Sequence, residues 1–211
     1  MIKIKFFFAS AIVVFFTLLL QADIIDTLLS PALMSKGAMP MHEFNFKLGF
    51  DFDGKFNINE YIDGVDEKRL NAGNNASFAV ECIKYFNEYI GAGAGISAQI
   101  ARVIDGLPGR VGFAPLYFSL KVRSWPQEPG LYGYVLGQMG YNFFYSDSGF
   151  EKRFSSKEGG FYYGVGLGFA YETFIFEGIY SVNSGSVKDR VDDNKINMEY
   201  GKITVSMGYK L

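Results

Sequence analysis

The chain has 211 residues, enough for a single domain with a sizeable core. Its 20 Lys plus Arg against 22 Asp plus Glu make no basic field for nucleic acid, and it has only one cysteine, Cys82, and one histidine, His42. That scarcity excludes an intramolecular disulfide, a thiolate zinc site and most histidine-based catalysis, while 22 Phe and 14 Tyr beside 25 Gly are foreign to a soluble α/β enzyme.

The first element is a leader. In "MIKIKFFFASAIVVFFTLLLQAD", Lys3 and Lys5 precede an uncharged run from Phe6 to Leu20, and Gln21, Ala22 and Asp23 follow. This is the layout of a secretory signal peptide over residues 1–22, cleaved after Ala22. The run falls short of the roughly 20 residues needed to span a bilayer. No cysteine follows it, which argues against a lipoprotein. Without Lys3 and Lys5 the basic count drops from 20 to 18 against 22 acidic residues, leaving a mildly acidic exported chain. Residues 23–42 read as a flexible lead-in, broken near Pro31 and ending at His42 before the first strand.

From Glu43 onward the period is two. "EFNFKLGFDFD" sets Phe44, Phe46, Leu48, Phe50 and Phe52 on one face and Asn45, Lys47, Gly49 and Asp51 on the other, which is a strand with unlike faces. "YIGAGAGISAQI" holds Gly91, Gly93 and Gly95 in succession and looks like the start of a phosphate-cradling loop. Such a loop should leave a strand and enter a helix. Here no helical period follows, and the alternation runs on: Ile90, Ala92, Ala94, Ile96 and Ile100 oppose the glycines, Ser97 and Gln99. The same rule governs "FYYGVGLGFAYE", "FIFEGIYSVN" and "KITVSMGYKL", and more loosely "SFAVECIKYF", "PLYFSLKVR" and "LYGYVLGQMGYNFF". Together they predict eight strands of about ten residues each.

The two faces differ in an unusual way. One is large and aromatic; the other is Gly, Ser, Asn and Gln with isolated charges. A water-soluble sandwich solvates its polar face. The inverted arrangement suits a closed sheet in lipid, since every backbone group in hydrocarbon must pair and only closure removes the edges. An eight-stranded barrel is only just wide enough for side chains inside, so inward glycines have a steric reason. Connections provide an independent sign. Short turns around Asn87–Glu88 and Glu172–Thr173, with "SWPQEPG" between the fourth and fifth strands, alternate with longer polar stretches at 54–75, 102–110, 146–159 and 184–195. That is the rhythm of a periplasmic rim facing an outer one.

On these residues the chain, over about 43–211, resembles the small eight-stranded outer-membrane barrels of the OmpA, OmpX and opacity-protein group. "YIGAGAGIS" after its two-residue turn, the "GFYYGVGLGFAYE" hairpin and the terminal "VSMGYKL" carry the likeness. The resemblance implies an all-β, closed, antiparallel, up-and-down transmembrane barrel inserted by the barrel-assembly machinery. Members usually end on an aromatic residue; Leu211 departs from this, with Tyr209 two residues earlier. No peptidoglycan-binding domain is expected after the last strand.

Some barrels of this kind are lipid-modifying or proteolytic enzymes, whose chemistry, as the resemblance implies it, pairs His with Ser or Asp. His42 has no such company in sequence, so no catalytic residue, cofactor or metal is expected. The acidic residues of "INEYIDGVDEKRLNAGNN" lack the offsets of an EF-hand and read as a solvated loop, and "VDD" at 191–193 reads likewise. The inward charges are more informative. Strand parity turns Lys47, Asp51, Glu81, Lys121, Arg123, Glu177 and Lys202 into the barrel, where unpaired charge is costly, and predicts a polar network across the lumen. Lys84 and Cys82 fall on the outward face, Lys84 placed to snorkel to the interface. The function expected is a structural or surface-interaction barrel of the bacterial outer membrane, touching lipid with its wall and ligands with its loops. A narrow channel for small solutes is the alternative, and a lipid-modifying enzyme ranks below both.

Overall fold

In the computed structural model, residues 41–60, 66–105, 107–124, 130–191, 193 and 195–211 are described. The leader 1–22 and most of the lead-in 23–42 lie outside them. Among the described residues ten strands and one short helix follow in order: β1 (Met41–Glu60), β2 (Asp66–Asn71), β3 (Asn75–Tyr85), β4 (Ile90–Gln99), β5 (Arg102–Val103), β6 (Arg110–Arg123), β7 (Leu131–Ser146), α1 (Ser148–Arg153), β8 (Phe154–Tyr171), β9 (Phe174–Asp189) and β10 (Lys195–Lys210). All pairings are antiparallel. They run β1–β3–β4–β6–β7–β8–β9–β10, and β10 pairs back onto β1, so eight strands form a ring. Phe44 and Leu211 exchange backbone hydrogen bonds at 2.9 and 3.2 Å at that seam.

The alternation of β1 is carried into space. Phe44, Phe46, Leu48, Phe50 and Phe52 are exposed, Leu48 by 68%, while Asn45, Lys47 and Asp51 are buried. β8 repeats this, with Phe161, Tyr163, Val165, Leu167 and Phe169 exposed and Tyr162 and Ala170 buried. Exposed apolar surface on this scale is a signature of contact with something other than water. The glycines of β4 answer to what stands opposite them. A Cβ on Gly91 would meet the Tyr85 ring at 2.8 Å, and one on Gly95 would meet Glu81 at 2.7 Å and the Tyr117 ring at 2.8 Å. Gly91 and Gly95 leave room for large inner side chains, whereas a Cβ on Gly93 would run into the Cys82 backbone.

The strands are longer than the period alone predicts, and several expected loops are sheet. The stretch 54–75 is a hairpin of β1 with β2, and 146–159 holds α1 and the start of β8. β9 runs on to Asp189. These additions form a second storey with the opposite pattern. On β10, Ile203, Val205, Met207 and Tyr209 are exposed below; above, Ile196, Met198 and Tyr200 are buried and Lys195, Asn197 and Glu199 are exposed. On β1 the switch is made by an irregularity between Phe52 and Lys55, where three steps of β1 face two of β10. One extra residue reverses which face looks inward, so Phe52 is exposed and Phe56 wholly buried. The upper storey has an ordinary apolar core. Phe56 stacks on Tyr200 at 4.3 Å between centroids, Phe113 on Tyr200 at 5.7 Å, and Phe150 packs on Phe154 at 4.4 Å. Ile104 is brought in by a bridge to Ala72. Burying each such side chain contributes about 1.5–3 kcal/mol.

Candidate functional site: the charged filling of the ring

The inner face below that core is polar, and its groups fall into three levels. Nearest the short turns, Glu43 on β1 accepts from Lys121 at 3.1 Å, from Arg123, and from the Tyr132 hydroxyl at 3.1 Å. Arg123 lies between two rings, its guanidinium carbon 3.3 Å from the Tyr85 centroid and 4.3 Å from that of Tyr132. Lys210 donates to the Tyr132 hydroxyl at 3.1 Å.

At mid-height Lys47 bridges Glu81 at 2.5 Å and Glu177 at 2.6 Å. Each carboxylate accepts further bonds: Glu81 from Tyr117 at 2.9 Å and Gln138 at 2.8 Å, Glu177 from Tyr134 at 2.7 Å. Lys121 lies 3.9 Å from Glu177 and joins this level to the one below. Higher up, Asp51 pairs with Arg102 and with Lys202, both at 2.7 Å, and accepts from Thr204 at 2.8 Å and Ser77 at 3.2 Å. Arg102 also donates to the Tyr200 hydroxyl, tying this cluster to the apolar core.

All seven charges that strand parity turned inward, Lys47, Asp51, Glu81, Lys121, Arg123, Glu177 and Lys202, therefore meet on one inner face, and each is ion-paired. Two members escaped the reading. Glu43 shares the parity of Asn45 and Lys47 but opens its strand, and Arg102 stands in a stretch read as loop. Alternation with Phe161 and Tyr163 puts Tyr162 on the inner face, whereas Tyr117 and Tyr134 escaped the reading because that face was expected to be small. Between the middle and upper levels is a cavity of about 40 Å³, with walls from all eight ring strands. It is polar and large enough to admit water.

Three outlying residues were placed by the same reasoning. His42 was expected before the first strand; it lies within β1, exposed and opposite Lys84. Lys84 was expected to reach outward to the interface; instead it is buried. Alternation reads the face of a strand and not what covers it. Cys82 is half-buried, opposite the exposed Phe44, in keeping with its outward parity. Among the described residues no group of three or more His, Cys, Asp or Glu is disposed to hold a metal ion. The expected acidic loop at 58–75 is partly β2, and its residues 61–65 lie outside the described ones.

No family model matches the chain, and no curated protein matches its sequence. Solved structures do. OprG, an outer membrane protein from Pseudomonas aeruginosa, aligns over 82% of this chain and 98% of its own with a TM-score of 0.51 and 15% identity. The outer membrane protein AlkL, in lipid bilayers, aligns over 84% and 94% with a TM-score of 0.47 and 16% identity. Ail, the attachment invasion locus protein of Yersinia pestis, aligns over 80% and 98% at 0.39 and 15%. At such identity the OprG likeness speaks for architecture alone. The chain has the fold of the small outer-membrane barrels.

Proposed function

We propose that the ring is a closed barrel spanning a bacterial outer membrane, and that the protein has a structural or surface-interaction role exercised through its upper storey and loops. The single observation that carries this reading is the reversal along β10: apolar-out below, apolar-in above. A strand needs the first pattern in hydrocarbon and the second in water, so the change marks where lipid ends. The lower wall takes outer-membrane lipid, the assembly machinery inserts the chain after its leader 1–22 is removed, and the upper rim meets a surface ligand. Nothing in the charge balance suits nucleic acid, and the reading assigns no catalysis, cofactor or metal.

A narrow channel is the competing reading. The stacked Phe56, Phe113 and Tyr200 above the ion pairs, with no charge of the network left unpaired, weigh against it. Two measurements test the proposal. Unboiled protein refolded in detergent should migrate differently from boiled protein on a gel, and equal migration would overturn the barrel. In planar bilayers the purified protein should be silent; steady conductance steps would favour the channel instead.

A further inference from the structure

A polar cleft lies on the outer face of the upper storey. On β10, Lys195, Asn197 and Glu199 share their parity with the exposed Ile203, Val205 and Met207 of the belt, and the β9–β10 register runs through both levels without a shift, so all of them look outward. On β9, Ser184 stands opposite Glu199 and Ser186 opposite Asn197; Glu158 of β8 also stands opposite Ser186. These six line an open space of about 390 Å³, within the size range of small-molecule sites, about 300–1,000 Å³. Its floor is backbone. Between Gly159 and Tyr162 three steps of β8 face two of β9, and Gly159, Gly160 and Gly185 put no side chain into the space. A Cβ on Gly160 would meet the Ser184 carbonyl at 2.9 Å, so the strands approach closely there. Bulges of this kind recur next to active sites.

Height and chemistry both narrow the occupant. The apolar belt stops immediately beneath the cleft, where Phe161, next to Gly160, is exposed, as are Ile203 and Tyr180. A Cβ on Gly201, the neighbour of Glu199 on the outward face, would lie 3.1 Å from the Tyr180 hydroxyl. A tyrosine with its ring in an apolar belt and its hydroxyl at a polar surface marks the headgroup level. The wall itself offers two carboxylates, Glu158 and Glu199, against one ammonium, Lys195, which Glu158 already holds at 2.6 Å. A phosphate would meet more negative than positive charge here. Asn197 and the two serine hydroxyls both donate and accept, and the carboxylates accept. Sugar hydroxyls, which also donate and accept, match that set.

We propose, resting on the barrel reading above, that this cleft seats the sugar headgroup of a glycolipid in the outer leaflet, whose acyl chains lie along the belt below. The test uses the full chain refolded in phosphatidylcholine vesicles containing digalactosyl diacylglycerol. After extraction, native mass spectrometry should find one glycolipid retained per barrel. Ser184→Leu combined with Asn197→Leu should weaken retention about tenfold, as for two lost hydrogen bonds, while the heat-modifiable band persists. Glu199→Gln, an exposed change of like size, is the second variant should the first not fold, and should weaken retention about threefold. Free digalactose should bind the barrel far more weakly than the lipid. Glycolipid retained no better than phosphatidylcholine, retention unchanged in a folded variant, preferential retention of phosphatidylglycerol, or equal binding of the free disaccharide would each overturn the site and leave the barrel standing. Loss of heat-modifiability in the wild type would remove barrel and site together.

Discussion

Lys47 and Glu177 are 130 residues apart in the chain and 2.6 Å apart in the fold. The ammonium also holds Glu81, 34 residues on, so one lysine spans β1, β3 and β9 and fixes their relative heights. Lys47→Met should leave two buried carboxylates facing each other with one shared cation gone. The expected loss is about 3–5 kcal/mol, measured as reversible urea unfolding in lipid vesicles. A triple change that also makes Glu81 and Glu177 glutamine should recover much of it.

Gly95 tests the steric logic of the inner face. A methyl there would enter the space of Glu81 and Tyr117. Gly95→Val should cost about 1–3 kcal/mol through overpacking and lower the yield of the heat-modifiable form. Tyr117→Ala in the same protein should restore part of that yield, since it vacates the contested volume. A Gly95→Val protein as stable as wild type would show that the ring has slack there.

The two storeys predict opposite responses to charge on the outside. Leu167, 68% exposed, lies in the lower belt, and Asn197 is exposed on the upper storey. Leu167→Arg should cost about 2–4 kcal/mol if that face meets the middle of a bilayer. Asn197→Arg should change stability by no more than about 0.5 kcal/mol, as for an ordinary wet surface. Equal small effects at both positions would mean that the belt is not in lipid.

How much of this was legible depended on where along a strand one looked. Between Glu43 and Asp51 every residue could be assigned a face by counting in twos, because one medium bathes that length of strand. The counting failed between Phe52 and Lys55, where a single inserted residue swaps the faces without any mark in composition. It also failed on β10 in a different way: Lys202, Tyr200, Met198 and Ile196 share one face, yet only the first looks like filling for a barrel. The upper core was hidden because lipid and water impose contrary rules on the same side of one strand. Arg102 could not be found at all by parity, since it reaches Asp51 from a two-residue strand inside a connection.

The upper core makes its own prediction. Phe113 is buried against Phe56, Tyr200 and Phe144, the last at 5.1 Å between centroids. Phe113→Ala should cost about 3–5 kcal/mol and raise amide exchange in β2 and β5 before the lower ring responds. Uniform loosening of the whole molecule would show that the storeys are one cooperative unit.

At the rim, Asp147 caps α1, its carboxylate accepting from the Phe150 amide at 3.0 Å. That bond, with a further backbone contact from Arg110, holds its pKa below the ordinary aspartate value. A depressed carboxyl contributes while it is ionised, above its unfolded-state value, and the contribution disappears as pH falls through the folded value. Exchange of the Phe150 amide should therefore accelerate below about pH 4 relative to its intrinsic rate. Asp147→Asn should keep the cap and lose that acid sensitivity, and Asp147→Ala should exchange quickly throughout.

The seam between β1 and β10 sets an order of events. Every other adjacent pair in the ring is joined by a connection of modest length, so those hairpins can zip locally as the polypeptide appears. Phe44 and Leu211 meet only when the whole ribbon has been made and exported, and until that last stitch both outermost strands are raw margins able to adhere to any passing chain. Before that closure the two margins are the stretches of the chain most open to wrong pairing, and the seam hides both of them at once.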